Sequence, residues 1–148
     1  HTAKKENAYR ILIIGKSNDR GYFNALLKYA SDNIIIKEAF MDDDSLRALI
    51  GQSKIVLFTY AKSSILSSGA LMDSIGFGGK VVGPHVGAFA DLAKEGIINT
   101  FAETDQMFSV IDAVLAQKHI TTNPSIDHFL RENSWNKFAD FIYRILKK

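Results

Sequence analysis

Short, continuously apolar runs alternate along the chain with stretches whose apolar residues recur at helical spacing. The apolar runs are typical of buried strands, which the sequence predicts at residues 10–15, 34–36, 55–59, 80–82 and, at an edge, 97–101. The helical spacing predicts helices at residues 22–30, 42–50, 69–77, 88–94, 104–117 and 134–146. Strands that alternate with helices favour an α/β fold. The predicted architecture is a doubly wound, Rossmann-like parallel sheet with closing C-terminal helices.

The chain carries no internal repeat and no composition shift that would mark a second domain. Residues 10–148 are therefore predicted to form one domain. Residues 1–9 are polar and without pattern, and are interpreted as a linker or a cloning remnant.

Several helix ends have recognisable capping chemistry. The three aspartates from Asp42 onward supply a helix N-cap, and Thr104 is predicted to cap a later helix. Gly51 and Gly96 each follow the last periodic residue of a helix and are predicted to end it. The last helix carries an apolar stripe that is predicted to pack in the core and consists of Trp135, Phe138, Phe141, Ile142 and Ile145.

Composition narrows the class of protein. A chain of 148 residues with 47% hydrophobic and 23% charged residues is long enough to bury a core of its own. A formal charge of +2 does not indicate a nucleic-acid partner. Since there are no cysteines, disulfide scaffolds and thiolate chemistry are excluded, and a cytoplasmic location is expected. No apolar run approaches the about 18 residues that a membrane span needs.

The segment from Ser67 to Gly83 is the strongest candidate for binding chemistry. It predicts a small polar loop, a helix, a glycine stop and a short strand. Backbone amides of Ser67, Ser68 and Gly69 at the start of that helix are suited to hold a phosphate. Asp73, one turn further on, is an acceptor for ribose hydroxyls. The alternative is an ordinary capped helix, since serine and glycine are common before helices.

Two other strand ends carry candidate ligand contacts. Gly15 and Lys16 follow the first strand without completing a P-loop, so they indicate either a ligand approach or a plain turn. Phe40 and Met41 follow the second strand and either border a nucleobase or belong to the core.

His85 either donates to a phosphate or is a surface histidine. No metal site and no catalytic triad are predicted, and the catalytic residues stay unassigned.

Three segments resemble the nucleotide-sugar-binding half of GT-B glycosyltransferases of the retaining group-1 (family 4) class. They are residues 9–16 (YRILIIGK), residues 46–57 (LRALIGQSKIVL) and residues 67–83 (SSGALMDSIGFGGKVVG), the last continued by GPHVGAFAD to residue 91. The resemblance implies a hexosyltransferase that takes a sugar from a nucleotide-diphosphate donor, with retention, and needs no further cofactor. It places the donor diphosphate at Ser68 and Gly69, and the ribose at Asp73.

The resemblance also implies partners. A GT-B enzyme needs an N-terminal acceptor-binding domain, which lies outside this chain and through which a peripheral membrane contact would be made. The acceptor would be a glycan or a lipid-linked molecule, as in polysaccharide biosynthesis. The family marks its site with two glutamates, and Ile65 falls at the first of them. A non-catalytic nucleotide-binding or regulatory α/β module is therefore the alternative function.

Overall fold

The structure is a computed structural model that describes residues 9–60, 68–117 and 123–147. Within these ranges the chain is an α/β protein with five strands and seven α-helices, which confirms the predicted alternation. The elements are β1 (Ile11–Gly15), α1 (Arg20–Leu27), β2 (Ile34–Glu38), α2 (Asp43–Gln52), β3 (Val56–Leu57), α3 (Gly69–Gly76), β4 (Val81–Pro84), α4 (Gly87–Lys94), β5 (Asn99–Phe101), a 3₁₀ turn (Thr104–Gln106), α5 (Met107–Ala116), α6 (Pro124–Glu132) and α7 (Trp135–Leu146).

The described strands form two small parallel sheets. β1 pairs with β2, and β3, β4 and β5 lie side by side in that order. The parallel pairing confirms the prediction of parallel strands, whereas a single doubly wound sheet stays a prediction. By its internal contacts the chain divides into two compact units, one up to Leu46 and one from Arg47 onward, and each sheet belongs to one unit.

The second unit holds the hydrophobic core. All four residues of β4 are buried, as expected of a central strand of a parallel sheet. Helices α3 and α4 pack against β4 and contribute the remaining large, fully buried side chains. The largest fully buried side chains among the described residues, those of β4 included, are Phe89, Leu71, Ile75, Val81 and Val82. The core therefore lies directly beneath the segment that carries the candidate phosphate site.

The first unit has no comparable core, and the prediction of a buried first strand is wrong for this unit taken by itself. Ile11, Leu12 and Ile13 of β1 are 36–40% exposed, and no described residue up to Leu46 is buried. A two-stranded sheet accompanied by one helix cannot cover both faces of its strands. The ion pair between Arg20 and Glu38, at 2.6 Å, joins α1 to β2 at the surface and contributes little to stability.

The last helix forms where it was predicted, but its apolar stripe is not in the core. Ser134 caps α7 by accepting from the amide of Lys137, and no residue of the helix is buried. The partly buried Ile126 and Phe129 of α6 pack against the core instead. The spacing of apolar residues identifies an amphipathic helix, whereas the surface that covers it depends on tertiary packing.

Most helix ends follow the predicted capping chemistry. Gly78, with a φ of 81°, ends α3, and the amide of Gly79 donates to the carbonyl of Ser74. Gly96, with a φ of 71°, ends α4 as predicted. The prediction that Gly51 ends α2 is wrong, because the helix continues to Gln52. The predicted Thr104 cap is wrong by one residue, because Glu103 and Gln106 form a reciprocal capping box around the 3₁₀ turn.

Asp42 caps α2 as predicted, and this contact makes the free energy of unfolding depend on pH in the acidic range. The amide of Ser45 donates to Asp42 Oδ1 at 2.7 Å, which together with the Ser45 hydroxyl lowers the pKa of Asp42 from its ordinary 3.8. A lowered folded pKa contributes stability above pH 3.8 that is lost as the pH falls through the folded value. Asp42→Asn keeps a capping acceptor but cannot titrate, so we expect it to remove this part of the acid dependence.

Urea unfolding at a series of acidic pH values, together with NMR titration of the Asp42 carboxyl carbon, checks this expectation. Ser45→Ala is the matched variant, because it removes the hydroxyl and leaves the backbone amide, and should raise the pKa of Asp42 only in part. A carboxyl that titrates at 3.8 or above in the unmodified protein contradicts the prediction.

Candidate nucleotide-binding site

The carboxyl ends of β3, β4 and β5 share one edge of their sheet because the three strands are parallel. The residues that follow these strands, among them Tyr60 after β3 and His85 after β4, therefore come from one side of the unit. Helix α4 also starts at this edge, directly after β4, and α3 is the next described helix after β3. In open α/β sheets this edge is where ligands bind.

The start of α3 has backbone donors that the helix itself does not use. Ser68 is the N-cap, with extended backbone angles, and its Oγ accepts from the amide of Leu71 at 3.2 Å. The amides of Gly69 and Ala70 lie in the first turn, where a helix offers no acceptor. An added Cβ at Gly69 would meet no described atom within 4 Å, so packing among the described residues does not require glycine there. Such a group of donors favours an anion.

Tyr60 ties this helix start to the core. Its ring contacts two buried rings, with centroids 5.5 Å from Phe58 and 6.0 Å from Phe89. Its hydroxyl is 3.2 Å from Ser68 Oγ. The side chain therefore links the cap of α3 to the buried rings. The sequence places Tyr60 after a strand, which is the only signal that could have marked it, and its role was not predicted.

Asp73 lies on the solvent side of α3, as a ligand contact requires. The neighbouring Leu71, Ser74 and Ile75 take the buried side, with Ser74 Oγ donating to the carbonyl of Ala70 at 2.7 Å. Asp73 is four residues after Gly69, so both lie on one face of the helix. Because helical side chains lean toward the N-terminus, the carboxylate is directed toward the turn that carries the free amides.

His85 is held at the same edge by two contacts to β5. Its amide donates to the carbonyl of Phe101 at 2.8 Å, and its Nδ1 is 2.8 Å from Thr100 Oγ1. If Thr100 donates to Nδ1, Nε2 carries the proton and becomes a donor toward solvent. The ring is exposed, so both predicted interpretations of His85 stay open. The contact with Thr100 was not predicted from the sequence.

The other predicted contacts lie in the first unit. The amide of Ala39 donates to the carbonyl of Gly15 at 3.2 Å, so Gly15 and Lys16 lie beside the end of β2, next to Phe40 and Met41. Phe40 is 84% exposed, which argues against a core role, and Met41 is half-buried. An added Cβ at Gly15 would meet nothing within 4 Å, so side-chain packing does not require glycine there.

Two positions of interest lie outside the described residues, namely Ser67 in the predicted phosphate loop and Ile65 at the first glutamate position. Within the described ranges no group of three histidine or acidic side chains is placed to hold a metal ion. The same part of the chain contains no helix with the length and apolar character needed to cross a bilayer.

Comparison with models of known protein families and with curated protein sequences found no match for this chain. Function must therefore be inferred from the geometry of the site and from the motifs in the sequence. A fold class alone does not decide function, since α/β sheets of this kind carry many activities.

Proposed function

We propose that this chain is the donor-binding half of a retaining glycosyltransferase, with the doubly wound sheet of the GT-B class. The complete enzyme transfers a sugar from a nucleotide-diphosphate sugar to a glycan or lipid-linked acceptor. The observation that supports this most is the start of α3, where the amides of Gly69 and Ala70 lack an acceptor within the helix and Asp73 follows on the same face. A donor nucleotide needs that combination, with amides for its phosphates and a carboxylate for its ribose.

Each candidate residue has a role in this proposal. Ser67, Ser68 and Gly69 bind the diphosphate, and Asp73 accepts from the ribose hydroxyls. Phe40 and Met41 at the base, and Gly15 and Lys16 at the pyrophosphate, remain predictions from the sequence for the first unit.

Sugar transfer from such a donor requires stabilisation of the leaving group. As the bond to the sugar breaks, negative charge grows on the departing nucleotide diphosphate. Oriented amides at a helix N-terminus stabilise that charge without rearrangement during the reaction. The acceptor is held by an N-terminal domain, a separate partner in this proposal, which closes over the donor and excludes water.

Thermal unfolding of the chain with UDP, GDP, ADP, CMP and their sugars at millimolar concentration tests the proposal. A ligand that binds only the folded state raises the unfolding temperature by mass action. We expect one nucleotide diphosphate to raise it and the other bases to do so less. If no nucleotide shifts the unfolding temperature of either this chain or a longer protein that contains it, the proposal fails.

Asp73→Ala should weaken binding of that nucleotide by about 1–3 kcal/mol, because a ribose hydroxyl loses a charged acceptor. Asp91→Ala is the matched control, since Asp91 is also an exposed helical acid and pairs with Lys94 of its own helix, at 3.2 Å. Isothermal titration calorimetry of both variants measures the difference. An unchanged affinity for Asp73→Ala would remove Asp73 from the site.

A non-catalytic nucleotide-binding or regulatory module is the second candidate. Ile65, at the position where the resembled family has its first glutamate, favours it, because an isoleucine cannot hydrogen-bond a sugar. Such a module would bind the nucleotide without consuming the donor. Chromatographic measurement of donor-sugar turnover by the full-length protein separates the two, since only the enzyme releases free nucleotide diphosphate.

A further inference from the structure

Helix α7 presents a broad apolar face that its own unit leaves uncovered. Its large apolar side chains are between 38% and 83% exposed, and they are Trp135, Phe138, Phe141, Ile142, Tyr143, Ile145 and Leu146. Trp135 and Phe138 contact each other edge to face, with ring centroids 5.8 Å apart. Because α6 rather than α7 supplies the side chains that pack against the core, the face is not needed to complete that core.

The opposite face of α7 is basic. From Trp135 to Lys147 the charged residues are Lys137, Arg144 and Lys147 against the single acid Asp140. The ammonium of Lys147 lies 4.4 Å from the centre of the Tyr143 ring, so this cation sits at the border of the two faces. Lys137 contacts Glu132 at 3.3 Å, but both side chains are about half exposed, which makes that pair weak.

This combination matches an interfacial helix. A helix of this length extends about 18 Å, too short for a bilayer of about 30 Å, so it would lie along the surface. Aromatic residues on one face and Lys and Arg on the other suit the boundary between acyl chains and anionic headgroups. We propose that α7 docks the protein on the surface of an anionic lipid bilayer.

Trp135 makes the proposal directly testable, because it is the only tryptophan of the chain. Its fluorescence reports the environment of α7 alone. Mixed with vesicles of phosphatidylcholine and phosphatidylglycerol, the full chain should sediment with the lipid and its emission should shift to the blue. Pure phosphatidylcholine should bind it more weakly, and added salt should weaken binding to the anionic vesicles.

Two variants separate the apolar and the electrostatic contributions to binding. Phe141→Ser should reduce partition into anionic vesicles about tenfold, since a large apolar side chain is lost. Arg144→Glu should reduce it about fivefold or more and leave the weaker binding to pure phosphatidylcholine nearly unchanged. Tyr29→Ser is the matched control, because Tyr29 is 72% exposed and lies on another part of the chain. Circular dichroism checks that each variant is folded.

Other outcomes would overturn the proposal. Emission that is already blue without lipid at every protein concentration would mean that protein covers the face. A blue shift that follows protein concentration instead of lipid would mean that a second copy covers it. Absence of sedimentation with either vesicle would exclude a lipid surface. None of these measurements uses a nucleotide, so they are independent of the proposed donor site.

Discussion

Replacing Phe89 with alanine should lower the free energy of unfolding by about 3–5 kcal/mol, the range for deleting a buried aromatic ring. Phe89 is 0% exposed and packs edge to face against Phe58, with centroids 5.4 Å apart. It also contacts Tyr60, whose hydroxyl meets the cap of α3. The ring therefore joins α4 to the strand beneath the candidate site, and its removal leaves a cavity that the surrounding side chains fill only in part.

Urea unfolding followed by circular dichroism measures this effect. Phe40→Ala is the matched control, because that ring is 84% exposed, and we expect a change within about 0.5 kcal/mol. Equal losses in the two variants would contradict the packing described for Phe89.

Gly83→Val should cost about 3 kcal/mol, at the upper end of the range for overfilling a core. A Cβ at position 83 would lie 2.4 Å and 2.5 Å from two ring carbons of Phe89, which is closer than such atoms approach each other. Phe89 is itself enclosed, so it cannot swing aside. Gly83→Ala should lower stability less than Gly83→Val, because alanine adds only the Cβ and valine adds two further methyl groups.

Denaturant unfolding of Gly76→Ala, Phe89→Leu and the double variant Gly83→Ala with Phe89→Leu tests the cause. Gly76→Ala is the control, since a Cβ there meets nothing within 4 Å and alanine favours the helix, so stability should be unchanged or rise by up to about 1 kcal/mol. Gly83→Ala combined with Phe89→Leu should cost less than the sum of the single changes, because the smaller side chain makes room. Additive losses would show that the two positions do not collide.

The sequence predicts the elements well because their causes are local. The start of α3 at Ser68 and its end at Gly78 depend on residues within one turn of each end. Burial depends on distant parts of the chain. The apolar runs of β1 and β4 look alike in the sequence, yet β4, with α3 and α4 packed against it, is fully buried, whereas β1 is largely exposed within its own unit.

The candidate site divides in the same way. The Ser68 cap and the exposed side of Asp73 follow from helix geometry, so the pattern alone predicts them. Ser68 is eight positions after Tyr60, and His85 follows β4 whereas Thr100 belongs to the neighbouring β5, so these contacts form only once the sheet has formed. The amphipathic pattern of α7 is local as well, so the sequence predicts it. The surface that covers its apolar face is not determined by nearby residues.

The link from the buried rings to the Ser68 hydroxyl has a consequence for how a ligand would bind. The hydrogen bond between Tyr60 and Ser68 restrains the first turn of α3 in the protein without a ligand, so we expect the amides of Gly69 and Ala70 to be placed before any anion arrives. The first turn of α3 then loses its conformational entropy when the protein folds and not when a ligand binds. A phosphate that binds there would meet a preorganised group of donors. The backbone of that turn would keep one conformation with and without the ligand, and hydrogen exchange of its amides would report this.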